Sequence, residues 1–413
     1  MSLTTNTTLS RADGVGVGAK ELVVLLSSIM ALMAVGIDLM LPGFDDMRET
    51  FGLGEGSNRT GQVITFYFFG LAIAQVIYGP LADRFGRKRV LYVGLSIYVV
   101  GAAASALAPT FELLLASRVL WGVGAAGARV VATSIIRDCF AGDRMAKVMS
   151  QVMAVFMVVP VFAPALGSLI LTVLPWQAMF WFCAVWAGVV AVWVTRLHET
   201  LDPAHVRSVS PREVVRSYGE VARTRVALWN TLATVFLQAV FTTYLASIEL
   251  IIGDIFDRES QFALIFGVVA VGFGISAILN SRLVERFGIQ AMVRSGYTVA
   301  IAAGVALVLL STVADGRPSF WLFMPVLAVA LASFMLLTPN LNTAAMEPLG
   351  HVAGAGSAFT SAMRVGFGSV IASFFTGLID TSVTPFAVVL LAMALCSVAS
   401  WQMVSRRAVS SPG

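Results

Sequence analysis

The sequence predicts an all-α membrane protein of twelve transmembrane helices in two six-helix bundles, with both termini in the cytoplasm. Three observations support this prediction: the composition, a loop motif that occurs twice, and the distribution of lysines and arginines. Hydrophobic residues make up 58% of the 413 residues, charged residues make up only 12%, and the mean hydropathy is +0.86. A soluble chain carries about 25% charged residues, so this composition excludes a soluble globular protein.

Twelve apolar segments are long enough, at about 18 residues or more, to cross a bilayer. They show neither the alternation of strands nor the rhythm of a membrane β-barrel, so we interpret them as helices. The first segment is too long for a signal peptide, and no small-residue cleavage site follows it. The predicted spans are 21–43, 60–80, 90–108, 112–136, 146–172, 176–195, 227–252, 261–281, 290–312, 318–341, 353–378 and 384–404.

One loop motif occurs twice, about two hundred residues apart. Residues 79–86 read G-P-L-A-D-R-F-G, and residues 281–288 read S-R-L-V-E-R-F-G at an offset of 202. Leu, Arg, Phe and Gly recur, and Glu285 takes the place of Asp83. Parallel repeats of this kind are typical of transporters, in which the substrate site lies between the repeats near the bilayer midplane.

The basic residues set the predicted orientation. With the N-terminus in the cytoplasm, twenty lysines and arginines fall on inner segments and four on outer segments. This bias matches the positive-inside rule, and it favours an even number of spans in the cell (inner or plasma) membrane. The four outer residues are Arg48, Arg59, Arg258 and Arg317.

The longest inner segment, 198–226, contains two prolines and mixed charges, and we interpret it as a linker with one short helix. It divides the chain into halves of six spans each. The predicted organisation is a cytoplasmic tail at 1–20, a six-helix bundle at 21–197, the cytoplasmic linker at 198–226, a second six-helix bundle at 227–405 and a cytoplasmic tail at 406–413.

Several kinds of chemistry have no sequence signal. Cys139, Cys183 and Cys396 have neither the number nor the spacing of a disulfide framework or a metal site. No G-x-x-x-x-G-K-[ST] loop is present, so ATP is not the expected energy source. No cluster of histidines and acids suggests catalysis. We therefore expect a carrier and not an enzyme, with no cofactor, no metal and no nucleic-acid partner.

The motifs resemble those of a known family. The run G-P-L-A-D-R-F-G-R-K-R at 79–89 resembles the loop motif of the major facilitator superfamily. Span 4 carries R-V-L-W-G at 118–122, which is similar to the arginine motif of its drug:proton antiporters. Span 5 carries A-P-A-L-G-S at 163–168, similar to their G-P-x-x-G-G motif through Pro164 and Gly167, with departures at both outer positions. Residues 36–42 and 347–354 resemble the bicyclomycin/chloramphenicol resistance (Bcr/CflA-type) branch.

The resemblance implies the major facilitator fold, a monomer, and export of small drug-like compounds in exchange for protons. It also implies that Asp83 clamps the N-terminus of span 11, near residues 353–354, in the outward-facing form. The alternative is that the basic loop only sets the topology. The residues assigned to this gating motif are Gly79, Asp83, Arg84, Gly86, Arg87 and Lys88.

Charged residues inside spans are costly and are functional candidates by default. Asp38, in span 1, is the first candidate for proton coupling, and the alternative is an interfacial residue near the outer rim. Glu249 is either a second proton or substrate carboxylate or an interfacial residue beside Asp254. Arg118 matches the family arginine and is assigned to proton coupling with these two acids.

The predicted substrate site combines these charges with other in-span residues. Arg118 and Arg129 are eleven residues apart, which places them on one helix face about 16 Å apart, so this face is expected to look into a cavity or to meet carboxylates. Arg129 could instead extend to the cytoplasm, and Arg364 could be structural. The predicted substrate-binding residues are Asp38, Arg118, Arg129, Gln238 and Arg364.

The balance of in-span charges favours some cargoes over others. Three arginines against two acids repel a permanent lipophilic cation, because a low dielectric magnifies the repulsion. Arginine can donate hydrogen bonds to the oxygens of neutral, zwitterionic or weakly anionic compounds. The sequence therefore favours amphenicol-like or bicyclomycin-like cargo over quaternary dyes. The alternative function is a proton-coupled transporter of an endogenous metabolite or nutrient.

Overall fold

The computed structural model describes residues 16–54, 56–202 and 211–408. Most of the predicted N-terminal tail, residues 203–210 of the predicted linker and residues 409–413 of the C-terminal tail lie outside these ranges. Within them the regular structure is helical, with no strand. The α-helices there are α1 (Ala19–Asp38), α2 (Phe44–Phe51), α3 (Gln62–Phe85), α4 (Arg87–Ala106), α5 (Phe111–Cys139), α6 (Gly142–Leu171), α7 (Gln177–Val194), α8 (Pro211–Arg223), α9 (Arg225–Leu250), α10 (Phe262–Val313), α11 (Phe320–Met346), α12 (Ala353–Thr376) and α13 (Thr384–Ala408).

Ten stretches of the described chain are long and apolar enough to cross a membrane. Helices are expected here, because a spanning segment must satisfy every backbone N–H and C=O internally. Two of these stretches, Glu259–Val313 and Phe320–Thr376, have 55 and 57 residues. A single crossing needs about 20 residues, so each is long enough for two crossings. The count of twelve spans stays a prediction.

The repeated motif has the same backbone break in both places. Gly86, between α3 and α4, has φ 96° and ψ 150°, and Gly288, inside α10, has φ 78° and ψ 161°. Only glycine adopts this region without severe strain. The two glycines align in the sequence repeat, so the repeat extends to backbone geometry and divides α10 into two arms.

The helices pack in two groups. In the first group α3 and α4 pack against α5, and α1 packs against α5, α6 and α7. In the second group α9 packs against α11, α12 and α13, while α10 packs against α11 and α13. The groups meet where α3 contacts α12 and where α6 contacts α10. These two seams leave room between the groups for a central site.

The two ends of the bundle differ in charge. We call one the basic end, defined by Arg84, Arg87, Lys88 and Arg89 at the α3–α4 junction. We call the other the acidic end, defined by Asp45, Asp46 and Glu49 on α2, by Glu249 at the end of α9 and by Asp254 in the turn that follows it.

Helix α8 lies at the basic end and touches both groups. The Tyr218 hydroxyl donates a hydrogen bond of 2.8 Å to the carbonyl of Val76 on α3. Its ring packs against Phe359 on α12, with ring centroids 5.9 Å apart. Burial raises the pKa of the Tyr218 hydroxyl, so it stays protonated and keeps donating. The predicted linker therefore contributes one helix that joins the two groups.

The repeat predicts that its two loops lie on the same side of the membrane. The test uses two variants, Arg84→Cys and Arg286→Cys, each as the single cysteine of an otherwise cysteine-free chain. We expect both to react with an impermeant maleimide from the same side of the membrane, because parallel repeats share an orientation. Both positions are exposed. Labelling in intact cells and in inverted vesicles measures this.

A Ser260→Cys variant is the control, since Ser260 is exposed at the acidic end. It should react only from the opposite side. If Arg84→Cys and Arg286→Cys reacted from different sides, the parallel repeat would be wrong.

Candidate transport site

A cavity of about 650 Å³ lies between the two groups of helices. Its walls come from α3, α5 and α6 on one side, and from α8, α12 and the 3₁₀ turn Glu347–Val352 on the other. Arg137 and His351 line it and are exposed, so the cavity opens at the basic end. Its volume falls within the range of small-molecule sites.

The cavity ends near the middle of the bundle. The lining residues that lie farthest from the basic end are Gln75 on α3, Arg129 on α5, Met153 on α6 and Ser361 on α12. Arg364 lies one helical turn beyond Ser361. Arg129 from the first group therefore lines the closed end of the cavity, and Arg364 from the second group lies just beyond it.

Neither arginine has a carboxylate partner among the described residues. Arg129 makes one weak contact, 4.0 Å from Nη1 to the Met33 sulfur. Arg364 donates from Nη1 to Gln238 Oε1 at 2.5 Å, and its buried Nε finds no acceptor in the described part of the chain. The two guanidinium groups are close enough for their charges to repel. Gln238 itself is buried and donates to Thr242 at 3.2 Å.

Asp38 lies in the last turn of α1 and is only 4% exposed. It has no hydrogen bond or ion pair with any residue in the described ranges. Tyr67 on α3 and Tyr244 on α9 are near enough to sense its charge, and the Tyr244 hydroxyl is buried without a described partner. Asp38 therefore lies in an apolar environment where the two groups of helices face each other.

Arg118 is fully buried and fastens three helices together. Its Nη2 donates to the Gly36 carbonyl on α1 at 2.9 Å, and its Nε donates to the Val63 carbonyl on α3 at 3.1 Å. Its guanidinium carbon lies 4.4 Å from the ring centre of Tyr67 and 4.5 Å from that of Trp121. The sequence predicts a cavity face or a carboxylate partner for Arg118, whereas the structure gives it backbone carbonyls and aromatic faces.

The position of Arg118 has a physical reason. The last carbonyls of a helix carry partial negative charge and lack intrahelical donors. Helix α1 has no basic residue in its own last turn, so Arg118 supplies the positive charge from α5. Tyr98 adds a donor to the Leu32 carbonyl at 2.7 Å, and Tyr67 adds one to the Met33 carbonyl at 3.1 Å. Together these donors fix the end of α1 that carries Asp38.

The span-5 motif packs against the same end of α1. Pro164 and Gly167 are both buried in α6. A Cβ atom at Gly167 would collide with the Leu39 carbonyl and would lie 3.3 Å from Pro42. Glycine is therefore required where α6 crosses α1, directly beside Asp38.

An ion cluster joins the two groups of helices at the acidic end. Arg48 on α2 is 5% exposed and bonds to both oxygens of Glu249 on α9, at 3.3 and 3.4 Å. It also reaches Asp254 at 3.3 Å and Asp45 on its own helix. The bidentate geometry is the strong form of an arginine–carboxylate pair. Glu249 therefore meets a cation from the first group, besides lying near Asp254.

A polar contact beside this cluster also joins the groups. The Asn58 side chain donates to Ser247 on α9 at 2.7 Å and to the Thr376 carbonyl of α12 at 2.9 Å. Gly61 packs directly on the Ala246 carbonyl, where any side chain would collide. The acidic end is therefore closed in the conformation whose basic end is open.

The gating motif forms a compact network at the basic end. Arg87 is 7% exposed and donates to Asp83 at 2.5 Å and to Asp138, at the end of α5, at 2.8 Å. Arg84 is exposed and lies over the Phe85 ring. Gly79 lines the cavity. Asp83 lines the cavity too, on the opposite wall from residues 353–354 at the start of α12.

Glu199 completes this network from the segment after α7. Its carboxylate accepts from the backbone N–H of Arg87 at 2.8 Å and of Lys88 at 3.1 Å. These are free donors of the first turn of α4, which a carboxylate stabilises. Lys88 Nζ in turn donates to the Thr195 carbonyl at 3.0 Å.

Sequence reasoning missed three residues of these networks. Arg48 is a rare arginine in an otherwise acidic outer segment, and that rarity is a usable signal for a paired charge. Asp138 follows Arg137 at the predicted end of span 4, where an acid could be read as a partner for the basic loop. Glu199 has no local signal, because its partners lie more than a hundred residues earlier.

Comparison with known proteins decides the family. A family model described as Major Facilitator Superfamily matches residues 24–373. The chain belongs to the Major Facilitator Superfamily. It is accordingly a multi-pass membrane transporter of a small-molecule substrate.

Relatives and solved structures agree with this membership. The chain is 30% identical over 285 residues to the multidrug resistance protein MdtL of Escherichia coli K12, which covers 68% of this chain and 71% of that protein. It is 27% identical over 379 residues to YdgK of Bacillus subtilis, an uncharacterized transporter of the superfamily, covering 90% and 92% of the two chains.

Two solved structures share the fold. The crystal structure of a D-xylose–proton symporter matches with a TM-score of 0.69 at 15% identity, over 92% of this chain and 97% of that one. The human organic anion transporter MFSD10 matches with a TM-score of 0.61 at 18% identity, over 92% and 99% of the two chains.

The ion cluster predicts that Arg48 holds the acidic end closed. We expect Arg48→Gln to lengthen the distance between the two groups there, because breaking a buried ion pair costs about 3–5 kcal/mol. Spin labels at the exposed positions Glu49 and Glu259 measure this distance. The matched control is Arg59→Gln, since Arg59 is exposed and its ion pair with Glu112, at 3.9 Å, stays within the first group. An unchanged distance distribution in Arg48→Gln would show that the cluster does not hold the closed state.

Proposed function

We propose that this transporter is a proton-coupled exporter of small, mostly apolar, drug-like compounds that works by alternating access in the inner membrane. The observation that carries the proposal is a cavity open at the basic end and closed at the acidic end by ion pairs between two groups of helices. The 30% identity to MdtL supports drug efflux, and the sequence motifs support the bicyclomycin/chloramphenicol resistance branch within the superfamily.

The proposed topology has twelve spans, with both termini and the basic end in the cytoplasm. It counts the two arms of α10 as separate spans, and likewise α11 and α12. The bundles then correspond to residues 21–197 and 227–405, joined by the linker at 198–226. The positive-inside rule supports this orientation. In this topology the described conformation faces inward.

Asp38 is the proposed proton carrier. An ionised carboxylate in an apolar site is costly, and protonation removes that cost. Asp38 lies near Tyr67 and Tyr244, which belong to different groups, so the cost depends on how the groups are arranged. Proton occupancy can therefore bias the conformation. Arg118 contributes by holding α1 in place and not by pairing with Asp38.

Asp83 is the proposed inner clamp. In the described conformation its carboxylate accepts from Arg87, while α12 begins across the open cavity at Ala353. When the basic end closes, the free N–H groups at the start of α12 become available to this carboxylate. The clamp would stabilise the outward-facing form.

The proposed proton site predicts the effect of Asp38→Asn. We expect efflux of chloramphenicol from a pump-deficient host to fall to the level of cells without the transporter, because an amide cannot cycle a proton. Accumulation with and without an uncoupler measures the proton-driven part. The control is Asp46→Asn, an exposed acid of α2 that should keep full efflux.

Retention of uncoupler-sensitive efflux by Asp38→Asn would show that another carboxylate carries the proton. Glu249→Gln is then the next variant to measure. Proton-driven uptake of chloramphenicol into cells would instead favour a symporter. Flux measured in inverted vesicles gives the direction independently.

The proposed clamp predicts a different effect for Asp83→Asn. We expect transport to fall while drug binding to purified protein is retained, because the change removes the proposed clamp of the outward-facing form, whereas Arg87 keeps its bond to Asp138 in the inward-facing form. Spin labels at the exposed positions Lys147 and Gly350 report closure of the basic end. The comparison variant is Glu285→Gln, whose side chain is exposed and should cause a smaller loss. Loss of binding with an unchanged distance distribution would rule out the clamp.

A further inference from the structure

Two positive charges, Arg129 at the closed end of the cavity and Arg364 one helical turn beyond its lining, are not neutralised by the described residues. Arg129 comes from α5 in the first group, and Arg364 comes from α12 in the second. Their guanidinium groups interact electrostatically with each other, and neither forms an ion pair with a described carboxylate. Two like charges at this depth raise the energy of the empty site, since the surroundings screen them poorly.

No acid in the described part of the cavity wall is free to balance them. Asp83 is the one acidic residue among the described lining residues. It lies about two turns, roughly 12 Å, from the closed end along α3, and Arg87 already holds it. Asp38 is buried on α1 and does not line the cavity. The described residues therefore supply no compensating charge, and an anion from outside can supply it.

The hydrogen-bonding capacity of the two arginines is also unused. Arg364 places one bond on Gln238, while its Nε is buried and has no acceptor among the described residues. Arg129 has only the methionine sulfur at 4.0 Å. A guanidinium presents five N–H donors in a planar fork that matches a carboxylate. The site thus lacks an acceptor that has two oxygens and a negative charge.

We propose that Arg129 and Arg364 form an oxyanion site shared by the two groups of helices, and that organic monocarboxylates are the cargo class it binds best. The inference rests on the proposed function as an exporter and narrows its cargo. A carboxylate at this site contacts both groups at once. It also removes the repulsion that opposes their approach, so cargo loading and closure of the basic end favour each other.

The apolar part of such a cargo has a place on the same wall. Met149 and Met153 line the cavity along α6, and methionine adapts its shape to varied apolar groups. Neutral compounds can still accept hydrogen bonds from the arginines, but they leave the charges unbalanced. Quaternary cations add a third positive charge. The expected order of affinity is therefore carboxylate, then neutral compound, then cation.

A matched series of three probes tests this order on purified protein in detergent. The probes are 4-tert-butylbenzoate, 4-tert-butylbenzamide and 4-tert-butylphenyltrimethylammonium, which share one apolar body and differ in charge. We expect the benzoate to bind about tenfold more tightly than the amide, because a hydrogen bond to a charged group is stronger than one between neutral groups. The cation should show no saturable binding. Tryptophan fluorescence and thermal shift both report occupancy.

Two variants locate the preference. Arg129→Gln and Arg364→Gln should each reduce the preference for benzoate over amide to about twofold or less, because benzoate binding weakens more than amide binding when a charge is removed. The matched control is Arg294→Gln, which removes the same charge from an exposed position on α10 outside the cavity. It should keep the tenfold preference. Size-exclusion profiles check that each variant folds. If one of the two neutral variants does not fold, the other one tests the preference.

Equal affinity for benzoate and amide in the parent protein would overturn the oxyanion site. So would a preference for benzoate that survives in both neutral variants. Failure of the exporter function gives a different result. Asp38-dependent export of chloramphenicol without any charge preference would refute only the oxyanion site. An arginine-dependent preference for benzoate without any export would refute only the exporter function.

Discussion

A single guanidinium at the acidic end makes the ion pairs that join the two groups of helices there. Arg48 is buried, and two of its three carboxylate partners, Glu249 and Asp254, belong to the other group of helices. A buried arginine without these partners would be an uncompensated charge, which costs several kcal/mol. Separating the two groups at this end would expose a charge whose contacts water or another ion must replace.

The same constraint explains the polar network around α1. Asp38 needs a fixed position if its proton is to follow conformation, yet it lies at the end of a helix, where backbone bonds are incomplete. Arg118 supplies donors to this region without offering a counter-charge to Asp38. Gly167 then allows α6 to pack against the next residue of the chain, Leu39. The helix end is thus rigid, while the carboxylate itself remains unpaired.

The sequence predicts most of the helices because the bilayer leaves few alternatives. An apolar run of spanning length must be a helix. The aligned glycines at 86 and 288 indicate the break in helical backbone geometry that both repeats contain. The partners of the charged residues could not be predicted in the same way. Arg118 bonds to backbone carbonyls, which leave no signature in the sequence. Arg48 counts as a loop arginine in any topology rule, because such rules record only its position between spans.

The acidic end and the closed end of the cavity differ in how their charges are balanced. At the acidic end three carboxylates share one cation, whereas at the closed end of the cavity two cations share no anion among the described residues. The charges at the acidic end are balanced when the two groups of helices are in contact there. The repulsion between Arg129 and Arg364 grows when the two groups approach each other at the cavity. An anion at Arg129 and Arg364 turns this repulsion into attraction and leaves the ion pairs of the acidic end unchanged. In the proposed alternating access, cargo near the middle of the bundle and the ion cluster at the acidic end therefore act at different places on one rocking motion.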